Sequence, residues 1–307
     1  MTQANTITSR FKHRVSLAGT PGVVFEALVS EAALRAWMAE HVRVEPRVGG
    51  RYAFWGRYTP WVESQEKADQ RITHFEPGRR LAFTWTWRES PCTVEFAIAP
   101  GSSPSSTDLT LSLTCTGDRM GFGDECAWFL ADLATYTAGN LRSYLETGAA
   151  ALRPDFMDTS RGVDLSIVIR ATPDKVFRAL TDPEQMNGWI STAARSVPRS
   201  GGEYTYGWMI PPGNPCGPTR LVEVVPNRLV VHDWGYKDEP RTEVRWELTP
   251  VPEGTRVRLV HVRRDLQPEI GGYLQGWSSF LVMLQEFVTL GKASRRPGVD
   301  PKELAGE

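Results

Sequence analysis

The sequence predicts an α+β fold built from two tandem domains, each a curved antiparallel sheet wrapped around a long C-terminal helix. Two observations predict it. The first half of the 307-residue chain resembles the second half, and this length suits two domains of ordinary size. Within each half, short segments with apolar residues at every second position precede one long segment with apolar residues at helical spacing.

The repeat extends over most of the chain. One constant offset matches Thr20-Pro21 to Thr172-Pro173, Trp37 to Trp189, Gly49-Gly50 to Gly201-Gly202, and Tyr52 to Tyr204. Further along, with small insertions, residues 94–100 match residues 244–250, and Trp128 matches Trp277. We therefore predict one domain at residues 8–148 and a second at residues 163–291.

The elements of each copy follow in a fixed order. An alternating strand is followed by Thr-Pro, which we expect to supply an N-cap hydroxyl and a first-turn proline to a short helix. A second short helix runs through Trp37 or Trp189. The Gly-Gly pair then predicts a tight turn into consecutive hairpins, with a strand from Tyr204 to Trp208 in copy two. An amphipathic helix ends each copy, at Gly291 in the second.

Composition and charge exclude several classes of protein. A net charge of −1 without a basic block argues against nucleic acid as a partner. The N-terminus has no export signal, and no apolar run approaches the length of a membrane span, so we expect a cytoplasmic protein. The four cysteines and five histidines lack paired or metal-ligand spacing, which predicts no disulfide framework, no metal and no cofactor.

Several motifs of the repeat resemble one known family. They are Thr-Pro-x-x-Val-Phe-x-Ala-Leu from Thr20 and from Thr172, the tryptophans Trp37 and Trp189, the Gly-Gly pairs, Pro226 to Val230, and Gly276-Trp277. This pattern resembles the SRPBCC superfamily, which has the helix-grip (START/Bet v 1-like) fold, and within it the AHSA1-like homologues of the activator of Hsp90 ATPase. Copy one departs from the pattern with Ala127-Trp128 and a longer turn before Leu81.

The resemblance implies a cavity for a hydrophobic ligand, and some members of the superfamily are polyketide cyclases. The chain has 11 Trp, 12 Phe and 8 Tyr, many of them in strand-like segments. We predict that inward-facing residues line a pocket of several hundred Å³ in one or both domains. These candidates are Tyr52, Phe54, His74, Phe83, Trp85, Trp87, Tyr204, Tyr206, Trp208, His232, Trp234, Trp246, Trp277 and Phe280. Plain core packing is the alternative for the stripe Phe83, Trp85 and Trp87.

Catalytic candidates are fewer. Asp233 and His261 are polar residues within apolar strands and would form an acid/base pair if both pointed inward. The alternative rests on strand geometry: His232 and Asp233 are adjacent, so at most one of them faces the cavity. Cys216 has no evident basic partner that would activate it as a nucleophile.

Three functions remain open at this point. The first is binding of a hydrophobic or aromatic small molecule. The second is an enzyme of the cyclase or dehydratase type, in which a His or Asp moves a proton. The third is a chaperone partner, although the chain offers no counterpart to the separate N-terminal domain of the Hsp90 activator. We also predict a monomer whose two halves imitate a dimer.

Overall fold

A computed structural model describes residues 7–60, 62, 64–87, 90–117, 125–158, 162–208, 216–235, 240–261 and 270–295. The described chain forms two compact units, here called unit 1 (residues 7–158) and unit 2 (residues 162–295). Each unit has its own sheet and its own long helix. The predicted fold class is therefore confirmed, while the predicted boundaries 8–148 and 163–291 stay predictions.

Unit 1 begins with a long strand and ends with a long helix. Its elements are β1 (Ile7–Ala18), α1 (Pro21–Val29), α2 (Glu31–Trp37), β2 (His41–Val44), β3 (Tyr52–Trp55), a short 3-10 helix (Gln65–Lys67), β4 (Ile72–Glu76), β5 (Arg80–Trp87), β6 (Ser90–Pro100), β7 (Ser106–Gly117) and α3 (Glu125–Thr147). Five strands pair antiparallel in the order β1-β7-β6-β5-β4, and β2 pairs with β3 as a separate hairpin. Helix α3 packs mainly against β1 and β7.

Unit 2 repeats this order. Its elements are β8 (Val163–Ile169), α4 (Pro173–Thr181), α5 (Pro183–Met186), β9 (Arg195–Ser196), β10 (Tyr204–Thr205), β11 (Leu221–Val225), β12 (Leu229–Trp234), β13 (Thr242–Val251), β14 (Gly254–His261) and α6 (Ile270–Leu290). The sheet order is β11-β12-β13-β14-β8, all antiparallel, and β9 pairs with β10. Helix α6 packs against β8.

Local details of the helices differ from the sequence expectation. Thr20 and Thr172 occupy the N-cap positions of α1 and α4, yet neither side chain accepts a capping hydrogen bond. The proline at the first helical position lacks a backbone N–H, one of the donors that have no partner within the helix. The second helices do have caps, since Ser30 Oγ accepts from Ala33 N and Asp182 accepts from Glu184 N.

Two elements are shorter than the sequence predicts. Helix α5 ends at Met186, so Trp189 lies in the turn after the helix. Strand β10 ends at Thr205, so Tyr206 and Trp208 continue the chain without a partner strand. The Gly-Gly turns have a clear reason, because a Cβ on Gly50 or Gly202 would collide with the backbone oxygen of Glu45 or Val197.

The structure contains a disulfide, which the cysteine spacing did not predict. Cys92 on β6 and Cys115 on β7 lie directly opposite each other and are joined by a disulfide. Only the strand register brings these two residues together, because their separation of 23 residues follows no cysteine motif. Cys216 is a free cysteine, and burial raises the pKa of its thiol to about 12.

The segment after α3 packs onto unit 1. The Asn140 side chain accepts hydrogen bonds from Ala151 N and Leu152 N and donates to Leu152 O. Leu152 is buried. Part of the segment between the two predicted domains therefore packs as part of the first unit.

Candidate functional site

A shared framework of hydrogen bonds holds the hairpin and the short helices in both units. Tyr52 donates its hydroxyl to Leu28 O at 2.6 Å, and Tyr204 donates to Leu180 O at 2.7 Å. Both hydroxyls lie deep in the core, and burial raises the pKa of each. These two candidate ligand-binding tyrosines therefore use their polar atoms to fix the fold.

The matched tryptophans act in the same way. Trp37 Nε1 donates to Ala27 O at 3.0 Å, and Trp189 Nε1 donates to Ala179 O at 2.9 Å. Each bond joins the first short helix either to the end of the second, at Trp37, or to the turn just after it, at Trp189. The residues that make the repeat recognisable are thus largely those that satisfy buried polar groups of the framework.

Unit 1 contains an apolar cavity of about 70 Å³ between the sheet and α3. Its wall combines four groups of residues: Phe54 from the hairpin; Phe83, Trp85, Val94, Phe96, Leu111 and Leu113 from the sheet; Leu133, Tyr136 and Thr137 from α3; and Met38 with Tyr58, Thr59 and Pro60 from loops. Three candidates from the sequence, Phe54, Phe83 and Trp85, are thereby placed together. The volume is smaller than the several hundred Å³ expected from the sequence.

Two buried polar atoms in this wall lack a partner. Thr59 Oγ1 and Trp85 Nε1 have no hydrogen-bond partner among the described residues. Both side chains are about 95% buried. A buried donor or acceptor left unpaired costs about 1 to 3 kcal/mol. Trp234 Nε1, the indole of unit 2 that matches Trp85, likewise has no partner among the described residues.

The loop residues Tyr58 to Pro60 form one part of the cavity wall. The guanidinium of Arg153 lies 3.9 Å from the centroid of the Tyr58 ring, and Arg153 also donates to Ala39 O at 3.0 Å. Phe156 N donates to Arg57 O at 2.8 Å. The segment after α3 therefore holds this wall in place, through a cation–π contact and two hydrogen bonds.

Strand register identifies the positions of unit 2 that match the cavity wall of unit 1. Val94 is opposite Phe83 and Leu113, whereas its repeat partner Val244 is opposite His232 and His261. In the sequence repeat, Tyr206 is equivalent to Phe54, Trp246 to Phe96, Trp208 to Gly56 and Phe280 to Ala131. Unit 2 thus has larger and more polar side chains at these positions.

His232 lies fully buried at the centre of these side chains. Its Nδ1 lies 2.7 Å from Asp233 O, which only accepts, and its Nε2 lies 3.2 Å from Trp246 Nε1, which only donates. The ring is therefore neutral with its proton on Nδ1. Burial lowers the pKa of His232 to about 4, so the ring is a poor base near neutral pH.

His261 has the opposite tautomer. Trp277 Nε1 donates to its Nδ1 at 3.0 Å, so a neutral ring carries its proton on Nε2, which lies 2.7 Å from Thr242 Oγ1. Both ring nitrogens of this catalytic candidate thus contact side chains of the unit 2 core. His261 is fully buried, and its ring also contacts Tyr273 and Trp234.

Asp233 faces the other way, as the alternation of a strand requires. Its carboxylate accepts from Thr219 N, Thr219 Oγ1, Arg220 N and Arg241 Nε, at distances of 2.6 to 3.0 Å. Burial opposes ionisation of this carboxyl group, but these hydrogen bonds outweigh burial and hold its pKa below the ordinary value. The carboxylate anchors the edge of the sheet and does not meet His232 across the interior.

The remaining aromatic candidates of unit 2 pack ring against ring. Trp234 lies 4.9 Å from Trp277 between ring centroids, and Trp208 lies 5.3 Å from Phe280. Tyr206 lies 4.9 Å from Trp208, and its hydroxyl lies 3.3 Å from His232 Nε2. Such contacts are typical of a filled aromatic core.

Two candidates of unit 1, Tyr52 and His74, fall outside the cavity wall. His74 lies at an irregularity of the edge strand β4, its side chain is 43% exposed, and it lies 3.8 Å from Glu76. The side chain of Trp87 lies outside the described residues. Sequence reasoning missed Thr59, Pro60 and Tyr136, because loop residues and one helix position give no signal until the chain is folded.

Comparison with known proteins supports the family resemblance. A family model described as "Activator of Hsp90 ATPase homolog 1-like protein" matches residues 18–124 and 170–289. No curated protein matches the chain significantly. Among helices of the described residues, none is both long and apolar enough to cross a membrane.

Solved structures resemble the chain at low identity. DynU16, a protein in the dynemicin biosynthetic locus, is 18% identical, with 93% of this chain and 99% of that chain covered and a TM-score of 0.36. CalU16 from Micromonospora echinospora is 26% identical over 48% of this chain and 74% of that chain, with a TM-score of 0.37. The Aha1 dimer from Colwellia psychrerythraea is 21% identical over 43% and 98%, with a TM-score of 0.38.

The family match falls once in each half of the chain and covers most of both described units. It also contains the strands and short helices that carry the shared framework. The chain therefore belongs to the family of proteins similar to the activator of Hsp90 ATPase homolog 1, and it carries that family's domain twice.

Proposed function

We propose that unit 1 binds a small hydrophobic molecule that carries one polar group, in the cavity between its sheet and α3. The observation that carries the proposal is an apolar wall with two buried, unpaired polar atoms, Thr59 Oγ1 and Trp85 Nε1. The hydroxyl of Thr59 donates or accepts, and the indole of Trp85 only donates. A guest with a hydroxyl or carbonyl oxygen would pair with both.

The size of the cavity limits the guest. At about 70 Å³ the cavity is roughly half as large as an engineered cavity of about 150 Å³ that binds benzene. A ring-sized guest therefore requires the wall to move outward. We expect this movement at Tyr58, Thr59 and Pro60, because these residues lie in a loop, whereas most of the wall belongs to strands and to α3.

Phenol and benzene are suitable probes, because they differ by one hydroxyl. We expect both to shift the methyl NMR signals of Leu111 and Leu113, which line the cavity, and we expect phenol to bind more tightly. Thr59→Val removes the unpaired hydroxyl at nearly constant shape. This variant should bring the two affinities closer together and leave the stability of the free protein unchanged or slightly higher.

A cavity-filling variant tests whether the probes bind in the cavity of unit 1. Phe96→Trp introduces the residue that unit 2 has at the matching position and should abolish binding of both probes. Leu133→Phe is a second filling variant at a half-buried position, for use if the first does not fold. Val48→Trp adds an indole at an exposed site and is the control. The proposal fails if neither probe shifts these methyl signals, or if both filling variants bind as the unaltered protein does.

A further inference from the structure

A second pocket lies on the outer side of unit 1, away from the cavity wall. It has a volume of about 460 Å³ and is open to solvent. The hairpin contributes His41, Arg43, Arg51 and Trp55, helix α2 contributes Glu31 and Arg35, and the 3-10 helix contributes Gln65. The pocket therefore combines three guanidinium groups with one indole ring.

The hairpin register explains how these side chains meet. Arg43 is directly opposite Ala53, and His41 is directly opposite Trp55. Since side chains two residues apart share a face, Arg51, Ala53 and Trp55 lie in a row on one side of β3 and its start. The rings of His41 and Trp55 stack with centroids 5.5 Å apart.

Only one of the three arginines is neutralised by a close carboxylate. Arg35 lies 2.7 Å from Glu31, which also accepts from Val44 N. These hydrogen bonds lower the pKa of Glu31, with smaller contributions from the charges of Arg35 and Arg43. Within the described residues, neither Arg43 nor Arg51 forms an ion pair closer than 4 Å.

The other nearby carboxylate is also engaged. Glu45 lies 3.4 Å from the guanidinium of Arg47 and accepts from Arg51 N at 3.4 Å. That hydrogen bond uses the backbone of Arg51 and not its guanidinium group. Among the described residues, the guanidinium groups of Arg43 and Arg51 therefore line the pocket with no carboxylate within 4 Å, although Glu31 lines the same pocket and its charge interacts with that of Arg43.

Unit 2 provides the internal comparison. The residues matching Arg43 and Arg51 are Arg195 and Glu203, which form an ion pair at 2.6 Å. The residues matching His41 and Trp55 are Ala193 and Gly207. The same hairpin is thus self-neutralised in one unit and carries two unpaired positive charges beside an indole in the other, although like charges at neighbouring positions repel each other.

We propose that the outer pocket of unit 1 binds an organic phosphate that also carries a flat ring, as a nucleoside monophosphate does. The phosphate carries a charge between −1.5 and −2 at neutral pH, which matches two unpaired guanidinium groups. The exposed face of the Trp55 indole stacks with the ring. This site is separate from the cavity of unit 1, and its occupant is an anion instead of an apolar guest.

Three related probes separate the phosphate and ring contributions: adenosine monophosphate, ribose 5-phosphate without the ring, and adenosine without the phosphate. Isothermal titration calorimetry on the full chain at low salt should show that adenosine monophosphate binds at least tenfold more tightly than either partial probe. Its affinity should decrease as salt is added, because the contact is partly exposed.

The decisive variant copies unit 2. Arg51→Glu recreates the ion pair that Arg195 and Glu203 form. It should weaken the binding of adenosine monophosphate at least tenfold while the fold is retained. Arg256→Glu makes the same charge change at an exposed position of β14 and should leave binding unchanged. Trp55→Leu should remove the preference for adenosine monophosphate over ribose 5-phosphate.

Two results would overturn the proposal: no heat of binding for adenosine monophosphate with the unaltered protein, or equal binding by the unaltered protein and Arg51→Glu. Circular dichroism of each variant shows whether the fold is retained. Phenol binding in the cavity should be unchanged by Arg51→Glu, so the failure of one proposal is distinguishable from the failure of the other.

Discussion

Unit 1 and unit 2 share a backbone plan but differ in what fills the space beneath the long helix. Unit 1 has Phe83, Phe96 and Leu113 where unit 2 has His232, Trp246 and His261, and it has Gly56 and Ala131 where unit 2 has Trp208 and Phe280. The smaller set leaves a cavity with two unpaired polar atoms. The larger set forms ring contacts and hydrogen bonds with itself.

This difference shows that the framework of the fold and the contents of its interior vary independently. Tyr52 and Tyr204, and Trp37 and Trp189, make the same bonds at nearly the same distances in both units. A domain held by such bonds tolerates either a filled or a partly empty interior. Duplication thus leaves one copy free to keep a cavity while the other is stabilised by packing.

The largest expected effect concerns the tryptophan of the long helix. Trp277→Ala should destabilise unit 2 by about 3 to 5 kcal/mol, because it removes a fully buried indole and the donor to His261. Trp128→Ala, at the matching half-buried position, should lower the stability of unit 1 by clearly less. Hydrogen exchange followed by mass spectrometry reports each unit separately. Equal costs in the two units would contradict the proposed difference in packing.

Acid should destabilise unit 2 through His232. Its pKa in the folded protein is about 4, below the ordinary value of 6.5, so the folded state favours the neutral ring. The stabilisation is complete above about pH 6.5 and decreases as the pH falls toward 4, by about 3 kcal/mol. His232→Gln should flatten the pH dependence of unfolding of unit 2, whereas His74→Gln, at an exposed position, should leave it unchanged. If the pH dependence of unfolding is unchanged in His232→Gln, groups other than His232 cause the acid sensitivity.

The disulfide between Cys92 and Cys115 should stabilise unit 1 by restricting its unfolded chain. The loop it closes spans 23 residues, for which the chain-entropy relation gives about 3 kcal/mol. Replacing both cysteines by alanine, or adding reductant, should lower the free energy of unfolding of unit 1 and leave unit 2 as it was. A loss in both units would indicate that they do not unfold independently.

The smallest expected effect tests the shared framework. Tyr52→Phe and Tyr204→Phe each remove one hydroxyl and leave a buried carbonyl oxygen, of Leu28 or Leu180, without its donor. Each change should cost about 1 to 2 kcal/mol in its own unit. Urea unfolding with unit-specific hydrogen exchange should find similar costs. A large inequality would mean that the framework is not equivalent in the two units.

Much of the fold could be predicted because local signals agreed with one another. The Gly-Gly turns, the caps at Ser30 and Asp182 and the alternation along β5 and β13 all act within a few residues. Alternation also predicted that His232 and Asp233 face opposite ways. The candidate site was harder, because a stripe such as Phe83 and Trp85 has the same sequence pattern whether it fills a core or lines a cavity.

The sequence alone determined that this chain has two copies of one α+β domain, since repeat and periodicity are properties of neighbouring residues. Only the tertiary structure decided that Cys92 meets Cys115, that Thr59 and Trp85 share the wall of one cavity, and that Arg43 and Arg51 lie in one pocket. Each of these pairs is joined by strand register or loop position. Contacts of this kind depend on how distant segments pack, which local sequence does not specify.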